Sequence, residues 1–277
     1  MFEKKYIFRL NEKLTRDEVL ETVGNKFYHD GIVTTGFVKA IQQREKDFPT
    51  GMILEKGTNI AISHTDDKYV IKDRIAIIIA DNPVIFKSIE NGKNDIKCNI
   101  FFVMALTKEN KNEILSAMAD LFENYEDILK KFPLMTDEEI LDILLWGGKM
   151  GIFSKFLKND KVEKVEAREE KTEIKISTGN KKYKTIIACG SGIATSTMAR
   201  SKIEKGLEER GILLDVTQCK IGELEGMAKT LKPDFVVHTV VLPKDQKFDC
   251  PVFSGVPFLT GVGMKKTLDE IVEAIKK

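Results

Sequence analysis

Residues 184–199 read KTIIACGSGIATSTMA. The apolar run Thr185 to Ala188 has the length and composition of a buried strand. It delivers Cys189 into a loop of small residues, from which a helix starts near Thr195. A strand-loop-helix turn aims several backbone N–H groups and the positive end of a helix dipole at one point, which favours a bound anion there and a thiolate over a thiol. Gly190 and Gly192 let the backbone approach closely, Ile193 and Ala194 supply the rest of the loop, and Ser191, Thr195 and Ser196 add hydroxyl donors. The stretch reads as a cradle for a phosphoryl group carried on sulfur.

An unperturbed cysteine with a pKa of about 8.5 is only ~3% thiolate at pH 7, and lowering it to about 7 needs roughly 2 kcal/mol in favour of the anion. A helix terminus and a few N–H donors can supply that. The competing readings are three. Cys189 could be a small hydrophobe at a strand end. The turn could hold a nucleotide phosphate, but neither Gly-x-Gly-x-x-Gly nor the Lys-Ser/Thr pair of a P-loop is present. A low-molecular-weight tyrosine phosphatase has a similar loop, with an Arg where this chain has Thr195.

At 277 residues the chain exceeds one ordinary core, and two domains are expected. Charged residues are 31% of the chain, yet the net charge is +1, so nothing points to nucleic acid or an anionic membrane surface. Cys98, Cys189, Cys219 and Cys250 have no C-x-x-C spacing, which suits reduced thiols in the cytoplasm and no metal site. The opening MFEKKYIFRLNEK lacks the apolar core of a signal peptide, and Ile75–Ala80 and Ile100–Leu106 are too short to span a bilayer. A membrane role would therefore need a separate membrane subunit.

In the first half, Thr15-Arg-Asp-Glu18 is a capping box, followed by Val19, Leu20, Val23 and Phe27 on one helical face and Gly31 as a stop. A second helix is expected over Gly36 to Lys46, then a turn at Pro49-Thr50-Gly51. His29 reads as an exposed residue near a helix end. Two short apolar runs flank a Gly57 turn, and His64 follows Ile60 to Ser63. Ser63 and Thr65 are small and polar, so the ring is expected to be reachable. A neutral imidazole is nucleophilic, and its phosphoryl adduct keeps a high transfer potential. The stripe Ile114, Leu115, Met118, Leu121 and Phe122 predicts a core-facing helix. Thr136-Asp-Glu-Glu139 is a second capping box, for a helix stopping at Gly147-Gly148, with Trp146 as a packing residue.

REKDFPTGMILEKGTNIAISH (44–64), RIAIIIADNPVIF (74–86) and CNIFFVMALTKEN (98–110) together resemble an enzyme IIA domain of the fructose-mannitol-galactitol class of the bacterial sugar phosphotransferase system. The resemblance spans about residues 5–147. It implies that His64 accepts phosphate from the histidine-containing phosphocarrier protein and that Arg44 offsets charge on the transferred group. Two departures stand out. Ser63 replaces the family's usual Pro, which would loosen the approach to His64. The mannitol branch has a second His after the FVMAL-like strand, and TKENKNE (107–113) has none, leaving Asn112 as a candidate donor.

Lys158 to Lys182 alternates charges with almost no large apolar residue and reads as a tether. Beyond it, strands at ILLDVTQC, PDFVVHTVV and PVFSGV alternate with helices at Thr197–Arg210, Glu223–Leu231 and Lys265–Ile275. This predicts a small, mainly parallel sheet covered on both faces, with Cys189 at the strand ends where ligands bind. Cys219, Cys250 and His238 read as structural. ACGSGIATSTMA, DVTQCKIGELE and VPFLTGVG resemble a galactitol-type enzyme IIB domain, which implies that Cys189 is the phosphocysteine.

The expectation is thus a two-domain α/β chain. A IIA-like domain with a mixed sheet flanked by helices occupies 1–148, a charged linker 149–182, and a doubly wound IIB-like domain 183–277. The resemblance implies phosphoryl transfer from the phosphocarrier to His64, then Cys189, then a sugar alcohol, galactitol in the first instance, on a membrane IIC subunit. No metal or nucleotide is called for, and the protein would be cytoplasmic and peripheral to its membrane partner. The alternative is a sugar-sensing regulatory module using the same sites, although no helix-turn-helix is evident.

Overall fold

The capping box at Thr15 forms as the sequence requires. Glu18 N–H donates to Thr15 Oγ1 at 3.3 Å, and Thr15 N–H donates to the Glu18 carboxylate at 2.7 Å. In this computed structural model, which describes residues 1–145, 182–190, 194–243 and 245–276 (except the side chains of Asn112 and Ala194), that box opens α1 (Arg16–His29). The helix buries Val19, Leu20, Val23 and Phe27, leaves His29 exposed, and is followed by Gly31 at φ +68°. Helix α2 (Phe37–Asp47) packs against α1 and carries Arg44 and Glu45 inward on its last turn.

Strand β1 (Ile7–Leu10) precedes these helices. After them, β2 (Met52–Ile53) and β3 (Asn59–Ile60) form an antiparallel pair around Gly57, which sits at φ +86°. Three strands follow, β4 (Ile62–His64), β5 (Arg74–Lys87) and β6 (Asp95–Ala105). The sheet order is β1-β5-β6-β4, with β5 and β6 antiparallel and the two outer strands parallel to their neighbours. The β5–β6 register breaks between Ile79 and Val84, where Pro83 has no N–H to give the ladder. Alternate residues of β5 serve opposite faces. Ile75, Ile77 and Ile79 join one core, and Ala76, Ile78 and Ala80 join the core under α1 and α2. The first of these cores takes α3 (Lys111–Asn124), α4 (Glu126–Leu129) and α5 (Asp137–Leu145), the last opened by the Thr136–Glu139 box. All five apolar residues of the α3 stripe are buried.

The second half runs β7 (Lys182–Cys189), α6 (Ala194–Glu208), β8 (Leu213–Lys220), α7 (Leu224–Leu231), β9 (Phe235–His238), β10 (Val252–Ser254), α8 (Pro257–Thr260) and α9 (Met264–Ile275). Its sheet is wholly parallel in the order β10-β9-β7-β8. Ile187, Phe235 and Val237 meet α6, α8 and α9, while Ile186, Ala188 and Val236 meet α7, so both faces are covered as a parallel sheet requires. Cys189, Lys220 and His238 all end their strands at the same edge.

The halves touch. Helix α3 packs on α6, Ser116 Oγ lies 3.3 Å from Ser201 Oγ, and Lys202 Nζ lies 2.9 Å from the Glu123 carboxylate. No helix among the described residues is long and apolar enough to cross a membrane. The expectations for Trp146, Gly147-Gly148, the charged run before Lys182 and the loop residues Ser191, Gly192 and Ile193 lie outside the described residues, as does the side chain of Asn112.

Candidate functional site

His64 ends β4, whose short parallel pairing sets it opposite Met104 of β6. The segment before it is fixed by Glu45. This buried carboxylate accepts from Thr50 N–H at 2.8 Å, from the Thr50 hydroxyl at 2.9 Å and from the Ser63 hydroxyl at 2.9 Å. Burial pushes the Glu45 carboxyl up, against the pull of Arg44 and these donors. The expectation that Ser63 loosens the approach to His64 is not met. Its hydroxyl instead ties β4 to the last turn of α2.

The His64 ring is turned by a second contact. Nδ1 lies 2.7 Å from the Ile62 carbonyl, which can only accept, so Nδ1 carries the proton and Nε2 the lone pair. Nε2 is buried without a hydrogen-bond partner among the described residues. Burial, followed by the positive charges of Arg44 and then Lys111, holds the imidazole well below its ordinary range, so it is neutral at pH 7. The expectation of a reachable ring is corrected here. His64 is 2% exposed, and Ser63 and Thr65, which were to leave it open, are buried too. The physical reason is tertiary: β4 is enclosed by elements distant in the chain, β6 beside it and the last turn of α2 through Glu45.

Arg44 is 9% exposed. Its Nη1 donates to Phe48 O at 2.6 Å and its guanidinium lies 6.0 Å from the Phe48 ring centre, while Nε is buried with no partner among the described residues. Phe48 in turn touches the other half. A Cβ placed on Gly190 would come within 2.8 Å of Phe48 Cβ, so only glycine lets the ring lie where it does. A cleft of about 220 Å³ beside this contact is lined by Arg44, Phe48, Thr65, Asp66, Gly190 and Lys220.

Cys189 lies at the end of β7 and is fully buried. Its surroundings are not only apolar, because it interacts electrostatically with both Arg44 and Lys111. Behind it, Thr239 N–H donates to Ala188 O at 2.9 Å, and the Thr239 and Thr195 hydroxyls are 2.7 Å apart. Gln218 Nε2 donates to Ser196 Oγ at 3.0 Å and to Thr197 Oγ1 at 3.1 Å. Thr195 and Ser196 are therefore buried and braced at the first turn of α6. Burial pushes Cys219 up to about 12 and raises Cys98 and Cys250 as well, which keeps these three protonated. His238 is partly buried with Nδ1 2.7 Å from Val240 O, and burial lowers its pKa.

Comparison with known proteins finds a different family model for each half. Residues 1–146 match the family model described as phosphoenolpyruvate-dependent sugar phosphotransferase system, EIIA 2. The chain belongs to that family. Residues 184–270 match the model described as PTS system, lactose/cellobiose specific IIB subunit, so IIA and IIB domains are joined in one polypeptide. The PTS system galactitol-specific EIIB component of Escherichia coli K12 is 30% identical over 96 residues, 34% of this chain and 98% of that protein. The PTS system galactitol-specific EIIA component of Escherichia coli O6:H1 is 33% identical over 107 residues, 39% of this chain and 69% of that protein. Among solved structures, IIA mannitol from Escherichia coli aligns with 51% of this chain and 97% of its own, with a TM-score of 0.43 and 19% identity.

As a IIA-IIB chain the protein is a phosphotransferase, serving a phosphoryl relay between a phosphocarrier donor and a sugar handled by a membrane IIC partner. The two halves bring four residues singled out from the sequence, Arg44, His64, Cys189 and Gly190, to one corner. Three residues that the sequence did not single out also stand there or behind it: Lys111, Gln218 and Thr239. Gln218 lies in the quoted DVTQCKIGELE motif, but nothing in a strand pattern says which hydroxyls its amide will meet. Lys111 lies in TKENKNE, where the absence of a histidine draws the eye away from the cation.

Proposed function

We propose that His64 Nε2 takes the phosphoryl group from the histidine-containing phosphocarrier protein and passes it to Cys189 Sγ, which delivers it to a sugar alcohol, galactitol in the first instance, on a membrane IIC subunit. The observation that carries this reading is that Arg44 and Lys111 act on both His64 and Cys189. His64 and Cys189 thereby feel the same two positive charges.

The residues suit in-line displacement. Proton placement on Nδ1 leaves the Nε2 lone pair to attack phosphorus as the bond to the donor's histidine breaks. In the second step the Cys189 thiolate attacks, the P–Nε2 bond breaks, and its electron pair returns to Nε2, restoring the neutral ring without a proton transfer. Arg44 Nε, buried without a partner among the described residues, offers an N–H to the oxygens of the moving group. In this reading Gly190, Ser191, Gly192, Ile193, Ala194, Thr195 and Ser196 would hold the phosphoryl group on sulfur, and the preference for galactitol rests on the two galactitol-specific relatives. Domain limits of 1–148 and 183–277, with a linker between, belong to the same proposal.

The test supplies phosphoenolpyruvate and the donor proteins and follows label on the chain. Label is expected on His64 and Cys189 in the unsubstituted protein, on His64 alone in Cys189→Ser, and on neither position in His64→Ala. Labelling of Cys189 in His64→Ala would overturn the order.

A further inference from the structure

Lys111 is the first residue of α3 and is 3% exposed. The loop leading to it is pinned by one carboxylate. Asp73 accepts from Thr107 N–H at 2.6 Å and from the Thr107 hydroxyl at 2.9 Å, and its other oxygen accepts from the Asn110 amide at 2.8 Å. Because β6 runs parallel to β4 and ends at Ala105, this loop emerges at the same sheet edge as His64. Lys111 is thus held at the site by a built loop.

Its position is electrostatically costly. A buried ammonium loses hydration, it stands at the positive end of a helix dipole, and its charge opposes that of Arg44. Asp67 and Asp66 supply compensating negative charge. Two further buried groups face the same corner with atoms unpartnered among the described residues, His64 Nε2 and Arg44 Nε. A cation placed beside another cation, at a helix N-terminus and against a neutral imidazole, gains most when a doubly negative group enters.

We propose that Lys111 supplies a second positive charge, together with Arg44, that holds the phosphoryl group while it passes from His64 to Cys189. The inference rests on the relay proposed above. Lys111 moves no proton and breaks no bond. The P–N bond breaks, the P–S bond forms, and the ammonium offsets charge on the oxygens that do not change partners.

The experiment uses the full chain. His64 is loaded from the donor proteins, and the passage of label to Cys189 is timed in single turnover for the unsubstituted protein, Lys111→Met and Lys111→Arg. Lys111→Met is expected to slow His64-to-Cys189 transfer about 100-fold, and Lys111→Arg to recover most of the loss. Unfolding temperature provides a readout that a merely structural role would move the other way. Removing a buried, opposed charge should raise the midpoint of the unphosphorylated Lys111→Met protein, whereas losing a structural ammonium would lower it. In a Cys189→Ser background, the phosphorus resonance of phosphohistidine should move when Lys111→Met is added. Transfer by Lys111→Met within about threefold of the unsubstituted rate, or a phosphorus resonance that stays in place, overturns the inference. Should Lys111→Met fail to fold, Lys111→Arg decides: a rate within about tenfold of the unsubstituted protein supports the role, and a slower one overturns it. Failure of the relay itself would show in the unsubstituted chain, as label missing from His64 or Cys189.

Discussion

Burying an imidazole beside two cations sets His64 against its own protonation. An unfolded chain takes up a proton there as pH falls below about 6.5, while the folded chain resists doing so. The unfolded state then binds more protons, so the stability that His64 leaves intact above pH 6.5 is lost as pH falls toward its depressed folded value. His64→Gln should flatten this loss by up to about 1.4 kcal/mol per pH unit between pH 6 and 5. Urea midpoints of both proteins at pH 7, 6 and 5 check it. Taking the difference between the proteins matters, because His238, lowered by burial, has the same sign and Glu45, raised by burial, the opposite one. Parallel midpoint curves would mean that the folded ring takes its proton as readily as the unfolded one. The functional consequence of a neutral ring is a lone pair on Nε2 without prior deprotonation.

The elements that hold this ring are local structures whose signals are written in short stretches. Both capping boxes form, at Thr15 and at Thr136, and Thr15→Ala should cost about 1 kcal/mol by removing the acceptor for Glu18 N–H. The check is a lower urea midpoint at constant m-value. The strand entering Cys189, the Gly57 turn and the helices of the second half are equally readable, because periodicity and glycine placement are properties of neighbouring residues. What escapes such a reading depends on residues far apart in the chain. Ser63 looks like a weak substitute for proline until its hydroxyl is placed against Glu45, 18 positions earlier. Lys111 looks like one solvated charge in a polar loop until Asp73, earlier in the chain, folds that loop inward. His64 looks open because the residues beside it are small, and burial by residues distant in the chain leaves no trace in its flanking sequence.

At the scale of the whole molecule the two halves meet at the corner where the proposed relay would carry the phosphoryl group across. His64 is buried in this arrangement, so in the proposed relay a separate phosphocarrier reaches Nε2 only after the groups that cover it move. Joining both halves in one chain makes their encounter intramolecular, at effective concentrations on the order of millimolar, so the contact between them itself needs little affinity. That suits an interface anchored by an ion pair between Glu123 and Lys202 and by close approach of Gly190 to Phe48. The second contact can be tested by size. Gly190→Ala places a methyl group within 2.8 Å of Phe48 Cβ and Cδ1, so the ring or the whole half must shift. Transfer from His64 to Cys189 should slow by roughly 10- to 100-fold, since misplacing reacting atoms by about an ångström costs that much. In a Phe48→Gly background both the ring and the Cβ that this methyl meets are gone, and Gly190→Ala should then cost less than about threefold. Single-turnover transfer rates for the four proteins of this cycle measure the coupling. If Gly190→Ala is as damaging without the ring as with it, Gly190 serves the loop that holds the phosphoryl group on sulfur, and the contact with Phe48 does not set how the halves meet.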